Sequence, residues 1–398
     1  MKGNNWIIKK KNVIWISIAG ALLIMVVCYI QNNIPYPYYD DIEHYSELEF
    51  LKRKIYGETR VDSDVVYINI AYDKKLVEYA DPEFGMPEGN IDITDREKLY
   101  RFLKILDNSQ SYKYIFLDVR FEKGYEDTDS LEGSTVDEKL YEQIANMSNI
   151  VVSHHSDIMI ADSLIYPKTA RNDYFATITS TNFVRYQYIE DGEESVPLRM
   201  YKDLNKGNMS RYCGIYVTDD VLSYNCPFLR IPFQFPSKYN EDGELQYLNL
   251  GTDVLDALSD EDIANLVEGK IVIIGDLIED VHDTYVGMQP GSYITYIAYK
   301  SLIQGHNKIN WWYLGLMFII YILTSLIMFS KKSTIKRIPY ISKYDSKALG
   351  FVLSLIGYSA IMLVVSDIVY LLSGDTYCIW FPSLYFTALS TITSYLKS

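Results

Sequence analysis

The sequence predicts an α/β domain, built on a mixed, mainly parallel sheet and carried by four transmembrane helices, one before it and three after. Three observations predict it. There are four long apolar runs, basic residues gather at alternate ends of those runs, and strand and helix patterns alternate between the first two. The first run, residues 12–30, is "NVIWISIAGALLIMVVCYI"; the others occupy 311–329, 348–372 and 378–396. Each approaches or exceeds the ~20 residues that a helix needs to cross a hydrocarbon core. The last is the most polar, with several Ser and Thr and a proline. Lys2, Lys9, Lys10 and Lys11 sit in the tail 1–11, and the loop 330–347 holds six Lys or Arg against one Asp. Positive charge collects on the cytoplasmic side. Both termini and that loop are therefore expected in the cytoplasm of a bacterial inner-membrane protein, with residues 31–310 periplasmic or extracellular. Trp311 and Trp312 fall where an interfacial aromatic anchor belongs. No small-residue cleavage site follows the first run, and Met25-Val26-Val27 before Cys28 does not suit a lipoprotein signal, so an uncleaved anchor is expected.

Within residues 31–310, "VVYINIAY" (65–72), "YIFLDVRF" (114–121), "NIVVSHH" (149–155) and "KIVIIGD" (270–276) read as buried strands. Leu99, Phe102, Leu103 and Leu106 recur at helical spacing behind Thr94 and Asp95, which can cap a helix. Val136, Leu140, Ile144 and Met147 do the same. Strands joined by single helices imply parallel pairing through right-handed crossovers. From about 175 to 250 the pattern shortens. "ATITST", "VRYQYIEDG", "SVPLRMY" and "LRIPFQF" read as short strands with turns at Asp191-Gly192 and Asp242-Gly243, and so as antiparallel additions. "LSDEDIANLVEG" and "GSYITYIAYKSLIQGH" read as helices, the second running almost directly into the second span.

The net charge is −15, and because basic residues cluster beside the spans, the outer segment is more acidic still. Such a surface repels phosphate backbones, so nucleic acid is not an expected partner. Cys213 and Cys226 are the cysteines of this segment, and whether they bridge stays open, since sequence does not fix the geometry a disulfide requires.

Candidate chemistry collects at predicted strand ends: Asp73, Asp118, His154, His155, Asp276, His282 and Asp283. In a parallel sheet the C-terminal ends of the strands share one edge, where ligands commonly sit. Yet no metal-ligand spacing, phosphate loop, dinucleotide fingerprint or nucleophile elbow is present, and no cofactor is implied. His154 and His155 are adjacent, so along a strand they point to opposite faces. The structural reading of Asp276 and Asp283 is that they fix the turn after a buried strand by accepting backbone N–H bonds. Asp367 lies inside the third apolar run; an intramembrane carboxylate faces a partner or a cavity, and a contact with the fourth span or another subunit is favoured over a transport site.

"GKIVIIGD", then "VHDTYVG", then "QPGSYITYIAYKSLIQG" (269–305) resembles the closing motifs of the second type of CHASE domain, the cyclase/histidine kinase-associated sensory extracellular domain. Gly269, Lys270, Gly275, Asp283, Thr284, Pro290, Gly291, Ala298 and Gly305 take the motif places. "GNIDITDREKLYRFLKIL" resembles the first-helix region with its arginine, here Arg96, without the family's tryptophan-rich W-P-W. "YIFLDVRF" supplies Asp118 and Phe121, and "IEDGEESVPLRMY" resembles the turn before a V-P-L strand. The resemblance spans most of residues 45–330. It implies a sensor with one span before the outer domain and about three after, and no enzymatic activity of its own. Family members usually continue into an effector, whereas this chain ends at Ser398. The output is then expected from a separate cytoplasmic or membrane protein, reached through the spans, the loop 330–347 or homo-oligomerisation, with the ligand unknown. Competing readings are an outer-face metal-dependent hydrolase using Asp118, Asp276, His282 and Asp283, and a non-switching envelope scaffold.

Overall fold

The computed structural model describes residues 10–34, 43–56, 62–80, 86–156, 158–173, 183–232, 235, 238, 246–329, 347–374 and 376–397. Residues 1–9 of the basic tail, nearly all of the loop 330–347, the "ATITST" segment and the Asp242-Gly243 turn therefore lie outside the described residues.

Six strands form the central sheet: β1 (Val65–Asn69), β2 (Tyr114–Asp118), β3 (Ile150–His154), β4 (Thr169–Arg171), β5 (Leu248–Asn249) and β6 (Ile271–Gly275). Their spatial order is β5-β1-β6-β2-β3-β4, and every pairing is parallel. The β-branched runs of β1 and β6 are wholly buried because both sheet faces are covered. Val66, Ile68, Ile115, Leu117, Val272 and Ile274 point to one face, where they meet helices Arg96–Ser109, Val136–Asn146 and Asp260–Leu266. Val65, Tyr67, Tyr114, Phe116, Ile271 and Ile273 point to the other, beneath helices Val196–Asn205 and Gly291–Ile303. Capping starts three of these helices: Asp95 accepts from the Lys98 amide, and Thr135 with Glu138 and Ser259 with Asp262 form capping boxes.

Two sequence expectations change. The central sheet is all parallel; among the described residues antiparallel pairing falls in separate small sheets, such as the hairpin Lys74–Ala80 with Pro87–Thr94 and the meander over 209–223, and in isolated bridges. "SVPLRMY" is a helix, Val196–Asn205. Its Val196, Leu198 and Met200 alternate like a strand, but Pro197 sits in the first helical turn, where its missing N–H costs nothing, and the adjacent Met200 and Tyr201 are both buried. The Asp191-Gly192 turn does join a hairpin, Ile189–Glu190 with Glu193–Glu194.

Among the described residues, three helices are long and apolar enough to cross a membrane: Asn12–Gln31 near the N-terminus, Trp311–Phe329, and Phe351–Ser373. A further helix, Trp380–Lys397, packs against all three. Gly20 of the first long helix leaves room for the Tyr385 ring of this last one. Cys213, exposed, and Cys226, buried, are both free thiols.

Candidate functional site

Polar residues line the C-terminal edge of the sheet, where Asn69, Gly275 and Asp118 stand side by side in register. Asn69 braces the edge: its Nδ2 donates to Asn249 Oδ1 at 2.9 Å, and its Oδ1 accepts from the amides of Ala71 and Leu277. Asp118 accepts from Ser153 Oγ at 2.5 Å and from Asn172 Nδ2 at 3.3 Å. Asn172 Oδ1 in turn accepts from Tyr186 OH at 2.9 Å and from Thr295 Oγ1 at 2.8 Å. A chain of hydrogen bonds thus runs from the end of β2 to the first turns of helix Gly291–Ile303.

The start of that helix rests on the edge because two residues lack side chains. A Cβ on Gly275 would lie 3.2 Å from Asp118 Cβ and from Ser292 Oγ. One on Gly291 would lie 2.8 Å from Asp280 Oδ2 and 3.1 Å from His282 Nε2. Ser292 Oγ is buried there with no hydrogen-bond partner among the described residues.

Charge concentrates around the same edge. Burial, reinforced by the negative charge of Asp280, raises the Asp118 carboxyl to about 6, against the opposing effect of Ser153, His155 and Asn172. The Asp173 carboxylate, 3.6 Å from His155 Nδ1, raises the His155 imidazole above its ordinary value despite partial desolvation. Burial works to raise Asp173 itself, but His155, the Ser156 amide and Arg171 outweigh it and hold it well below the carboxylate range. Arg171 lies 2.6 Å from Asp173 and 2.8 Å from Glu190. His154 points elsewhere, into a cleft of about 260 Å³ beside β4 that Arg171, Glu193, Glu194 and Arg199 also line. Burial lowers its pKa.

Of the residues singled out from sequence, Asp118, Gly275 and Gly291 meet at this edge, with His155 and His282 near them. Asp276 does not join them. Its Oδ1 accepts from the amides of Ile278 at 3.1 Å and Glu279 at 2.8 Å, fixing the turn, and its Oδ2 is 3.1 Å from Lys74 Nζ. Asp283 is exposed on the hairpin Val281–Thr284 with Gly287–Pro290. Thr284 Oγ1 closes that hairpin by donating to the Gly287 carbonyl at 2.7 Å, and Pro290 occupies the position before the helix. Asp73 accepts from Lys98 Nζ at 2.7 Å and from the Gly251 amide at 3.1 Å. Arg96 takes no part in that hydrogen-bond chain; it is enclosed beside Asp137, Tyr141 and the ring of Phe121. Asp367 meets His44 of helix Glu43–Tyr56, with 3.2 Å between Nε2 and Oδ1; this neighbour comes from the helix after the first apolar helix rather than from the last helix.

Sequence reading missed Asn172 and Asp173, which follow a strand of three residues too short to show a period, and Thr295, which resembles any hydroxyl on a buried helix. Among the described residues, no three His, Cys, Asp or Glu side chains are set to hold a metal ion. Comparison with family descriptions, with curated proteins and with solved structures gives no match.

Proposed function

We propose that this chain is a multi-pass membrane sensor or sensory subunit with a CHASE-like outer domain, without catalytic activity, that passes a signal through its helices to a separate effector protein. Helix Gly291–Ile303 carries the proposal. Its first turns touch the sheet-edge cluster through Ser292 and Thr295, and only seven residues separate its end from the Trp311–Phe329 span. A ligand or partner that favours one arrangement of the edge would shift the helix, and the shift would reach the bilayer. Helix Trp380–Lys397 is read as a fourth span. Three of its hydroxyls are satisfied locally, since Ser383, Thr387 and Thr391 each donate to a carbonyl four residues back. The basic tail and loop support a cytoplasmic position for both termini and a periplasmic or extracellular domain. Copurification from gently solubilised membranes tests the proposal: a signalling or enzymatic partner is expected, and repeated recovery of the chain alone overturns it.

A second reading, an outer-face hydrolase, draws on the raised carboxyl of Asp118 beside Asp280 and His155. Asp276 and Asp283, assigned to it from sequence, are turned away. Elemental analysis of the purified chain together with its stability in chelator tests the metal-dependent form, which a metal-free protein indifferent to chelator rules out.

A further inference from the structure

Helix Glu43–Tyr56 carries three of its apolar side chains outward. Glu47, Phe50, Leu51, Lys54 and Ile55 are exposed and fall at the spacing of one helical stripe. Phe50 is 44% exposed, Leu51 52% and Ile55 64%, and Lys54 Nζ lies 4.5 Å above the Phe50 ring. The opposite face is committed. Tyr45 is buried against Phe228 and Tyr370, its hydroxyl donates to the Tyr377 carbonyl, and Glu49 accepts from Tyr370 OH. His44, at the start of the helix, reaches Asp367, which lies six residues before the last helical residue, Ser373, of the third span. At 1.5 Å rise per residue this is roughly 9 Å below that end. A helix in contact with the flank of a span at this depth would lie at the boundary between lipid headgroups and acyl chains.

We propose that helix Glu43–Tyr56 is an interfacial helix, docked on the lipid surface of the bilayer that holds the spans. Phe50, Leu51 and Ile55 enter the upper acyl region, and Lys54 bends back to the phosphates. Two observations select lipid over a protein partner: the third apolar helix, which this helix contacts through His44–Asp367 and Tyr45–Tyr370, itself exposes Ile368, Leu371 and Leu372, and a lysine within the stripe suits the phosphate layer.

The inference rests on the membrane reading, and the test separates the two. The full chain carrying Cys213→Ser would be labelled with a fluorophore at Leu51→Cys or Ile55→Cys. Reference labels are Ile319→Cys in the second span and Glu142→Cys on the far face of the sheet. Each is reconstituted into vesicles of phosphatidylcholine and phosphatidylglycerol containing nitroxide lipids. Labels at 51 and 55 should lose emission, more to a nitroxide near the headgroup than to one deep in the acyl chain, while the label at 142 keeps its emission. Quenching at 319 without quenching at 51 and 55 overturns the inference alone, as would cross-linking of position 51 between two copies in place of quenching. Failure at 319 as well overturns the membrane reading.

Discussion

Arg96 is enclosed by opposite charge, carbonyls and an aromatic face. Its guanidinium lies 3.4 Å from Asp137 and donates to Tyr141 OH and to the carbonyls of Arg120 and Tyr125. Burial raises the Asp137 carboxyl even with this arginine beside it, so each charge depends on the other. Removing one partner strands the second, and Arg96→Met is expected to cost about 3–5 kcal/mol in denaturant unfolding of the solubilised chain. Arg96→Met with Asp137→Leu should recover much of that loss, because no buried charge remains; a double variant as unstable as the single one contradicts this account. Asp118 makes a prediction about pH. Its folded pKa, about 6, exceeds the ordinary carboxylate value. The folded protein therefore binds this proton more tightly than the unfolded chain, and the associated stability is present below the ordinary pKa and lost as pH rises through about 6. A shift of this size is worth at most about 3 kcal/mol. Asp118→Asn should flatten the stability profile between those pH values, whereas an unchanged slope would assign the effect to other groups.

At the scale of elements, the contact between β6 and the helix that follows depends on glycine. Gly275→Ala would press a methyl group against Asp118 and Ser292, both at 3.2 Å. With strand and helix each held by a packed face, the expected cost is about 1–3 kcal/mol, read as a lower denaturation midpoint; an unchanged midpoint would mean that the helix start can move aside. The strands and helices around this contact were legible because their patterns are strong and local: β1 and β6 as apolar runs, Arg96–Ser109 by its apolar spacing behind Asp95, Val136–Asn146 by the spacing of Val136, Leu140 and Ile144. What sequence did not reveal depends on contacts made across the chain. The strand-like alternation of Val196, Leu198 and Met200 gave no warning that packing on the sheet favours a helix there. The hairpin Lys74–Thr94 is partly polar and is tied down by Lys75 on Asp127, 52 residues away in sequence. Of the edge cluster, Asp118 was visible as a carboxylate at a strand end, while Asn172 and Thr295 acquire meaning only once β4 and the last domain helix lie beside it.

Over the whole molecule, the α/β domain is bonded to the spans at several places. Tyr29, near the end of the first span, donates to the Ser223 carbonyl at 3.1 Å and accepts from the Tyr216 amide at 2.8 Å. Arg185 donates to the carbonyls of Asn32 and Cys226, and the Ile309 amide, just before the second span, donates to Leu222. The segment 222–226 therefore sits between the end of one span and the start of the next, so displacement of either is felt by the same residues. Tyr45 makes the equivalent junction at the other two C-terminal helices: its hydroxyl donates to the Tyr377 carbonyl at 2.9 Å and accepts from the Tyr377 amide at 2.8 Å. Tyr45→Phe keeps the ring packing on Phe228 and Tyr370 but leaves both backbone groups of Tyr377 unpaired in a buried site, a loss of about 1–3 kcal/mol for each group left unsatisfied. The loss should be local, since the sheet does not depend on this bond. Hydrogen exchange in detergent is expected to quicken over 43–56 and 376–379 while Ile271–Gly275 stays protected. Equal acceleration in all three would mean that the domain and the long apolar helices unfold as one unit, and unchanged exchange at 43–56 would mean that the aromatic packing on Phe228 and Tyr370 alone holds the helix in place.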